Sequence, residues 1–294
     1  MQQSRAPPAH QFQQSRLEVF NMPAKIIALA NQKGGVTKST STEHLGIGLA
    51  MEGKRVLVVD ADPQGDLTTC LGWNPDELDN TISNLMLAAM SNRPPPFQQC
   101  LLHHREGIDL IPANIELSEL EVSIVTAMGR ERLLSSCLNE LRQRYDYILI
   151  DCPPSLNMLT INALAAADSV IIPVQAEYLA AKGMTQLINS INKVRRVINP
   201  NLRIEGILMT LVKGRTRFAQ SIITTLRQSY GDVIHIFRSQ IPVSVEAAAV
   251  STKGASLFVC NKTNPVALAY TAFAKEVVSR GERQRISAQP AHSR

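Results

Sequence analysis

Residues 31–42 read "NQKGGVTKSTST", from Asn31 to Thr42. They follow the apolar run "KIIALAN" (25–31) and open a stretch of helical spacing from Lys38 to about Glu52. In that stretch Leu45 and Leu49 stand four apart and Gly53 makes a natural stop. A strand, a glycine-bearing turn and a helix in this order can cradle a phosphate. Gly34 and Gly35 free the backbone to wrap, so that successive N–H groups point inward at phosphate oxygens. The helix start adds its partial positive charge. Lys38 is placed to reach β- and γ-phosphate oxygens, and Ser39 to ligate Mg²⁺ through its hydroxyl. The general pattern G-x-x-x-x-G-K-[ST] still fails twice. Gln32 stands in place of the first glycine and Thr37 in place of the glycine before the lysine.

Working outward, short apolar runs alternate with longer helical patterns. Strands are expected at "RVLVVDAD" (55–62), "IDLIPA" (108–113), "YDYILIDCPP" (145–154), "SVIIPVQ" (169–175), "IEGILMTLV" (204–212) and "VIHIF" (233–237). Helices are expected over 115–144, 180–198, 217–230 and 265–280, with a mostly helical region near 76–105. Several strands are continuous apolar runs, as suits strands buried on both faces of a parallel sheet. The alternation predicts an α/β fold with a doubly wound, mostly parallel sheet and helices on both faces. In such a sheet the strand C-terminal ends share one edge, where ligands bind. Four polar signals fall at that edge: the loop Asn31–Thr40, the pair Asp60 and Asp62, Asp151, and the turn after Pro173.

Asp60 and Asp62 end the second strand two residues apart, so they share a face and both carboxylates are expected toward the phosphate site. A carboxylate there can hold a Mg²⁺-bound water or orient an attacking water. Asp151 closes "YILID", a Walker-B-like strand whose acid binds Mg²⁺, usually through water.

Composition limits the alternatives. The chain has 294 residues, 45% of them apolar, ample for a single large core. No run approaches the ~20 apolar residues that span a bilayer. The opening 22 residues lack the apolar centre of a secretory signal, so a cytoplasmic protein is expected. The five cysteines are scattered, with no zinc or disulfide spacing. A net charge of +5 is compatible with an acidic polymer as partner. The expected organisation is a tail at 1–22, one domain at 23–280 and a second tail at 281–294. The adjacent pair His103–His104 has no assigned role, because neighbours on a helix diverge by about 100°.

Four segments together resemble one family. "NQKGGVTKSTST", "VLVVDADPQGDLT", "YDYILIDCPPSLNMLTINAL" and "IIPVQAEYLAAKGM", in this order and spacing, look like the ParA/Soj family of deviant Walker-A P-loop ATPases. The likeness runs from about Ala24 to Glu276. It removes the first mismatch, because the family loop requires no glycine at the position of Gln32. It also implies a role for Lys33: the family's signature lysine reaches the partner's nucleotide across an ATP-sandwich dimer. Lys33, Gly34, Gly35, Val36, Thr37, Lys38, Ser39 and Thr40 would then form the nucleotide loop. Lys33, Lys38 and Asp62 would serve catalysis, and Ser39, Asp60 and Asp151 would serve Mg²⁺.

Thr37 remains a departure from the family's glycine. Strain there, of order 1–3 kcal/mol, would weaken ATP binding roughly ten- to a hundredfold. The resemblance further implies a homodimer when ATP-bound, nonspecific double-stranded DNA as ligand and a ParB-type centromere-binding partner that stimulates hydrolysis. It also implies a cytoplasmic, nucleoid-associated protein. Basic residues in the C-terminal half supply phosphate donors: Arg215, Arg217 and Arg227 first, then Lys193, Arg195, Arg196, Lys213 and Lys253. Two alternatives keep the same switch: a positioning ATPase for a cargo other than DNA, and a nucleotide switch whose turnover Thr37 makes very low. A membrane-bound relative should end in an amphipathic helix, and "RGERQRISAQPAHSR" has no apolar face. An iron–sulfur reductase needs paired cysteines, whereas Cys152 stands alone beside the site and reads as a small buried residue.

Overall fold

The computed structural model describes residues 23–177, 180–214, 217–250 and 254–288. The expected tail at 1–22 lies outside them. In chain order, β1 (Lys25–Leu29) leads through the glycine loop into α1 (Lys38–Met51). β2 (Val56–Asp60) follows, then the short α2 (Asp66–Cys70), a 3-10 turn at Pro75–Glu77, α3 (Ile82–Met90) and α4 (Phe97–Cys100). β3 (Leu102–His104) and β4 (Ile108–Ile111) form a hairpin. α5 (Glu116–Ile124) and α6 (Leu133–Leu141) lead to β5 (Tyr147–Asp151). The remainder runs α7 (Met158–Ala166), β6 (Ser169–Gln175), α8 (Ala180–Val197), β7 (Arg203–Val212), α9 (Arg217–Tyr230), β8 (Ile236–Pro242), α10 (Val245–Val250), α11 (Leu257–Cys260) and α12 (Pro265–Ala288).

The strands form one eight-stranded sheet in the order β3-β4-β2-β5-β1-β6-β7-β8. Every pairing is parallel except β3 with β4. The expected doubly wound sheet is therefore present, with one antiparallel edge strand. Alternation along β1 explains its unbroken apolar run. Ile26 and Ala28 enter one core cluster and Ile27 and Leu29 the other, on opposite faces of the sheet. Register does the positioning that matters. Leu29 lies opposite Asp151, and Asp151 opposite Asp60, so the ends of three central strands are level at one edge.

Five local expectations differ. Residues 102–104 are a strand, not helix: Gly107, at φ 82, closes a hairpin turn that pairs them with β4. His103 therefore faces away from His104 and bonds Asp109 at 2.6 Å, while His104 packs edge-on against Trp73. The single helix expected over 115–144 is two. Gly129 takes φ 65 between them, a left-handed value that breaks the ladder. α7 was not expected at all, because its sides are mostly buried and its sequence lacks the polar–apolar period. Its start is marked by Asn157, whose side chain accepts from Thr160 N–H at 3.1 Å. The last strand is 236–242, not 233–237, since pairing with β7 selects Ile236, Gln240 and Pro242. Finally, α12 runs to Ala288, eight residues into the stretch expected as a tail.

Candidate functional site

The loop between β1 and α1 is held from within and from β6. Asn31 accepts from Lys33 N–H at 3.0 Å and donates to the Pro173 carbonyl at 2.6 Å. Val36 is buried, and its carbonyl accepts from the Thr210 hydroxyl at 3.1 Å. Gly35 has φ 72. A Cβ added at Gly34 or Gly35 would meet nothing within 4 Å, so neither glycine is demanded by the chain's own packing. Both leave room for a ligand to approach the backbone.

Thr37 is left-handed, with φ 63 and ψ 37, at the N-cap of α1. Its hydroxyl donates to the Val36 carbonyl at 2.6 Å and does not cap the helix. The N-terminal N–H groups of α1 are thus left without a side-chain partner, as an anion site requires. Lys38, the first helical residue, is buried, and Ser39 and Thr40 are half-buried.

Lys38, Ser39 and Asp62 share one cleft of about 480 Å³ with Gly34, Gly35 and Asp66. A smaller cavity of about 130 Å³ adjoins it through Thr37 and Thr40 and is walled by Leu211, Pro242 and Tyr270. The first presents a lysine, hydroxyls and carboxylates in a space sized for phosphates; the second offers apolar walls to a flat ring.

The three acids differ in environment. Asp62 is nearly buried, and burial raises its pKa above the ordinary value, with Gln64 N–H and Lys38 opposing and Asp66 reinforcing. Asp151 is fully buried. Burial and then the Asp60 charge push its pKa well up, against the Ser39 hydroxyl and Lys38. Its Oδ2 has no hydrogen-bond partner, although it is buried. An orphaned acidic oxygen beside the Ser39 hydroxyl fits the outer shell of a divalent cation. Among the described residues no cluster of three or more His, Cys, Asp or Glu could cage a metal. A Mg²⁺ here would be held by Ser39, by Asp151 through water and by the nucleotide's own oxygens, as is usual for that ion. Asp60 is placed otherwise. Burial raises its pKa to about 7. Both its oxygens are engaged by the chain: Oδ1 accepts from Asp62 N–H, and Oδ2 from the N–H and hydroxyl of Thr68. It therefore holds the Asp62 loop, where the sequence led us to expect a metal oxygen.

Lys33 lies outside the cleft's lining. Half-exposed, it pairs with Glu177 just beyond β6 and reaches Gln175 Oε1 at 3.3 Å. Of the DNA candidates, Arg227 is exposed in the last turn of α9, and Arg217 opens that helix. Lys193, Arg195, Arg196 and Lys213 are exposed. Arg215 and Lys253 lie outside the described residues. Cys152 is a buried residue behind the site, and burial raises its thiol pKa. Some contributors had no motif to announce them. Thr210 and Tyr270 reach the site only through folding; Asn31 and Thr68 sit inside quoted motif segments, but folding alone sets their partners.

A strand–loop–helix cradle at the edge of a parallel sheet, with a lysine, a hydroxyl and two strand-end acids converging on it, defines a P-loop nucleotide-binding protein. Comparison with known proteins narrows the class. A family model described as an AAA domain matches residues 24–204. The sporulation initiation inhibitor protein Soj of Bacillus subtilis is 38% identical over 257 residues, covering 87% of this chain and 99% of Soj. The chromosome partitioning protein ParA of Caulobacter vibrioides is 36% identical over 265 residues, covering 90% and 97%. Among solved structures, cobyrinic acid a,c-diamide synthase of Mycobacterium smegmatis, with an ATP analog and magnesium bound, matches with a TM-score of 0.77. It is 34% identical and covers 88% of this chain and 96% of that one. The chain belongs to the ParA/Soj family of partitioning P-loop ATPases.

Proposed function

We propose that this chain is an ATP-dependent DNA partitioning protein that hydrolyses ATP to ADP and phosphate. The observation that carries this reading is the lining of one cleft by Lys38, Ser39 and Asp62, with the orphaned oxygen of Asp151 buried at the level strand ends and Lys33 held just outside. The loop N–H groups and Lys38 bind the phosphates. Ser39, and Asp151 through water, would hold Mg²⁺, which would supply positive charge to the phosphates. Asp62 orients the attacking water, and its raised pKa suits a group that takes up the water's proton. Hydrolysis breaks the bond between the γ-phosphorus and the bridging oxygen.

Lys33 sits at the mouth of the loop and is half-exposed, as a residue reaching a second subunit must be. ATP binding then assembles a sandwich dimer through Lys33, with charge supplied in trans as by an arginine finger. The dimer binds double-stranded DNA without sequence preference through Arg215, Arg217 and Arg227, and a ParB-type partner stimulates hydrolysis to reset it. The protein acts in the cytoplasm on the nucleoid. Among the described residues no helix is long and apolar enough to cross a membrane.

Sizing the protein with ADP, ATP and a slowly hydrolysed ATP analogue, with and without random duplex DNA, tests this. A dimer that needs ATP and a DNA complex that needs the dimer are expected. Equal DNA binding with ADP, or phosphate release unchanged by DNA and partner, would contradict it and favour a plain nucleotide switch.

A further inference from the structure

We infer that Thr68 is a positioning residue for hydrolysis: its hydroxyl, acting through Asp60, fixes the Asp62 carboxylate at the cleft. This rests on the reading that Asp62 orients the attacking water. Thr68 and Asp60 are fully buried. The Thr68 hydroxyl donates to Asp60 Oδ2 at 2.8 Å, and the Thr68 N–H donates to the same oxygen at 2.9 Å. Asp60 Oδ1 accepts from Asp62 N–H at 3.1 Å. The hydroxyl also accepts from Ala113 N–H at 3.1 Å, just beyond β4. One proton goes out and one comes in, so the hydroxyl bridges the end of β4 to the loop that carries Asp62.

The loop between these anchors has little freedom. Gly65, at φ 66, is so close to its surroundings that a Cβ would lie 2.7 Å from Pro75 and 3.1 Å from the Ala113 carbonyl. Asp62 Oδ1 accepts from Gln64 N–H at 3.1 Å, which fixes the carboxylate's rotation relative to the loop. Asp62 therefore moves only if the ring of residues 60–68 opens, and Thr68 supplies two of the three donors that close the ring on Asp60. A buried carboxylate is costly unless its hydrogen bonds are complete. Removing the hydroxyl leaves Asp60 and Ala113 N–H each one bond short and relaxes the loop at the reacting end of the site.

The test uses the full chain. Thr68→Val keeps the shape and the backbone bond and removes only the hydroxyl. Misplacing a catalytic group by about 1 Å costs on the order of a hundredfold, so turnover is expected to fall ten- to a hundredfold. ATP affinity should stay within about threefold, because the phosphate loop is untouched. Thr68→Ser should restore turnover to within about threefold, since it returns the hydroxyl. In an Asp62→Ala background, Thr68→Val should have no further effect, because the two act as one unit. A lower melting temperature with unchanged turnover would overturn the proposal, as would an independent further loss in the Asp62→Ala background. If Thr68→Val does not fold, Thr68→Ala is read in the same way at low temperature, where the Ser comparison still decides. If Asp62→Ala itself hydrolyses ATP normally, it is the role of Asp62 that fails, not the link from Thr68.

Discussion

Thr37 is the sharpest place to perturb this molecule. It stands in the left-handed region, held there by Ser41 N–H on its carbonyl at 2.9 Å and by its own hydroxyl on Val36. A β-branched residue in that conformation costs of order 1–3 kcal/mol. Because the chain's own bonds hold it, the cost weighs on folding and not on binding alone. Thr37→Gly removes about 2 kcal/mol of strain. Against that, glycine's extra freedom in the unfolded chain costs about 0.7 kcal/mol and the lost half-exposed hydroxyl bond about 0.5 kcal/mol. The net is ~1 kcal/mol of added stability, or about 2–4 °C in Tm. Thr37→Ala keeps a Cβ in the left-handed region and loses the hydroxyl, so it should melt below the glycine variant. Thermal and urea unfolding of the three proteins gives the answer. A glycine variant less stable than wild type, or an alanine variant as stable as glycine, would refute the reasoning. Equilibrium ATP titration completes the test. A tenfold or greater gain in affinity for Thr37→Gly would put the strain on binding instead.

Three further outcomes are expected. Asp60 ionises near 3.8 in the unfolded chain and at about 7 when folded. Its protonated form is thus favoured by folding, and the stability it contributes is complete below about 3.8 and lost as pH rises through about 7. Without metal or nucleotide, the protein should melt higher at pH 6 than at pH 8, and Asp60→Asn should flatten the slope; a flat wild-type profile would count against this. The Lys33–Glu177 pair is about half exposed on both sides, so it is worth no more than ~1 kcal/mol. Glu177→Gln should leave Tm within about 1–2 °C and raise the ATP-bound dimer population by up to about fivefold, read by sedimentation; a fall would show that Glu177 helps Lys33 instead of restraining it. Arg227→Ala should weaken binding to all duplex sequences alike and lower the salt slope by about 1; an unchanged slope would exclude Arg227 as a phosphate contact.

Much of the site was legible because its parts are local. A lysine after a glycine pair, and acids closing apolar strands, carry their positions with them, since a strand's end in a parallel sheet lies at the ligand edge whatever the crossovers do. Local reading failed where pairing or packing chose between near-equal options. The stretch 233–242 could seat a strand in either half, and β7 selects the second. The stretch 102–104 is too short to declare itself, and Gly107 makes it a hairpin arm. α7 has no polar stripe because the fold covers most of its sides.

The sequence by itself determined the class of fold, the phosphate loop, the strand-end acids and the one residue that departs from the loop's pattern, because each is set by residue type and spacing along a few neighbouring positions. Only the tertiary structure decided how those groups are used. Register across β2, β5 and β1 levels Asp60 with Asp151. Burial leaves one Asp151 oxygen unpartnered while both Asp60 oxygens are consumed by the Asp62 loop. Thr68 and Ala113 are brought together from 45 residues apart. Hydrogen bonds and desolvation depend on what surrounds an atom in three dimensions, and no spacing along the chain encodes that.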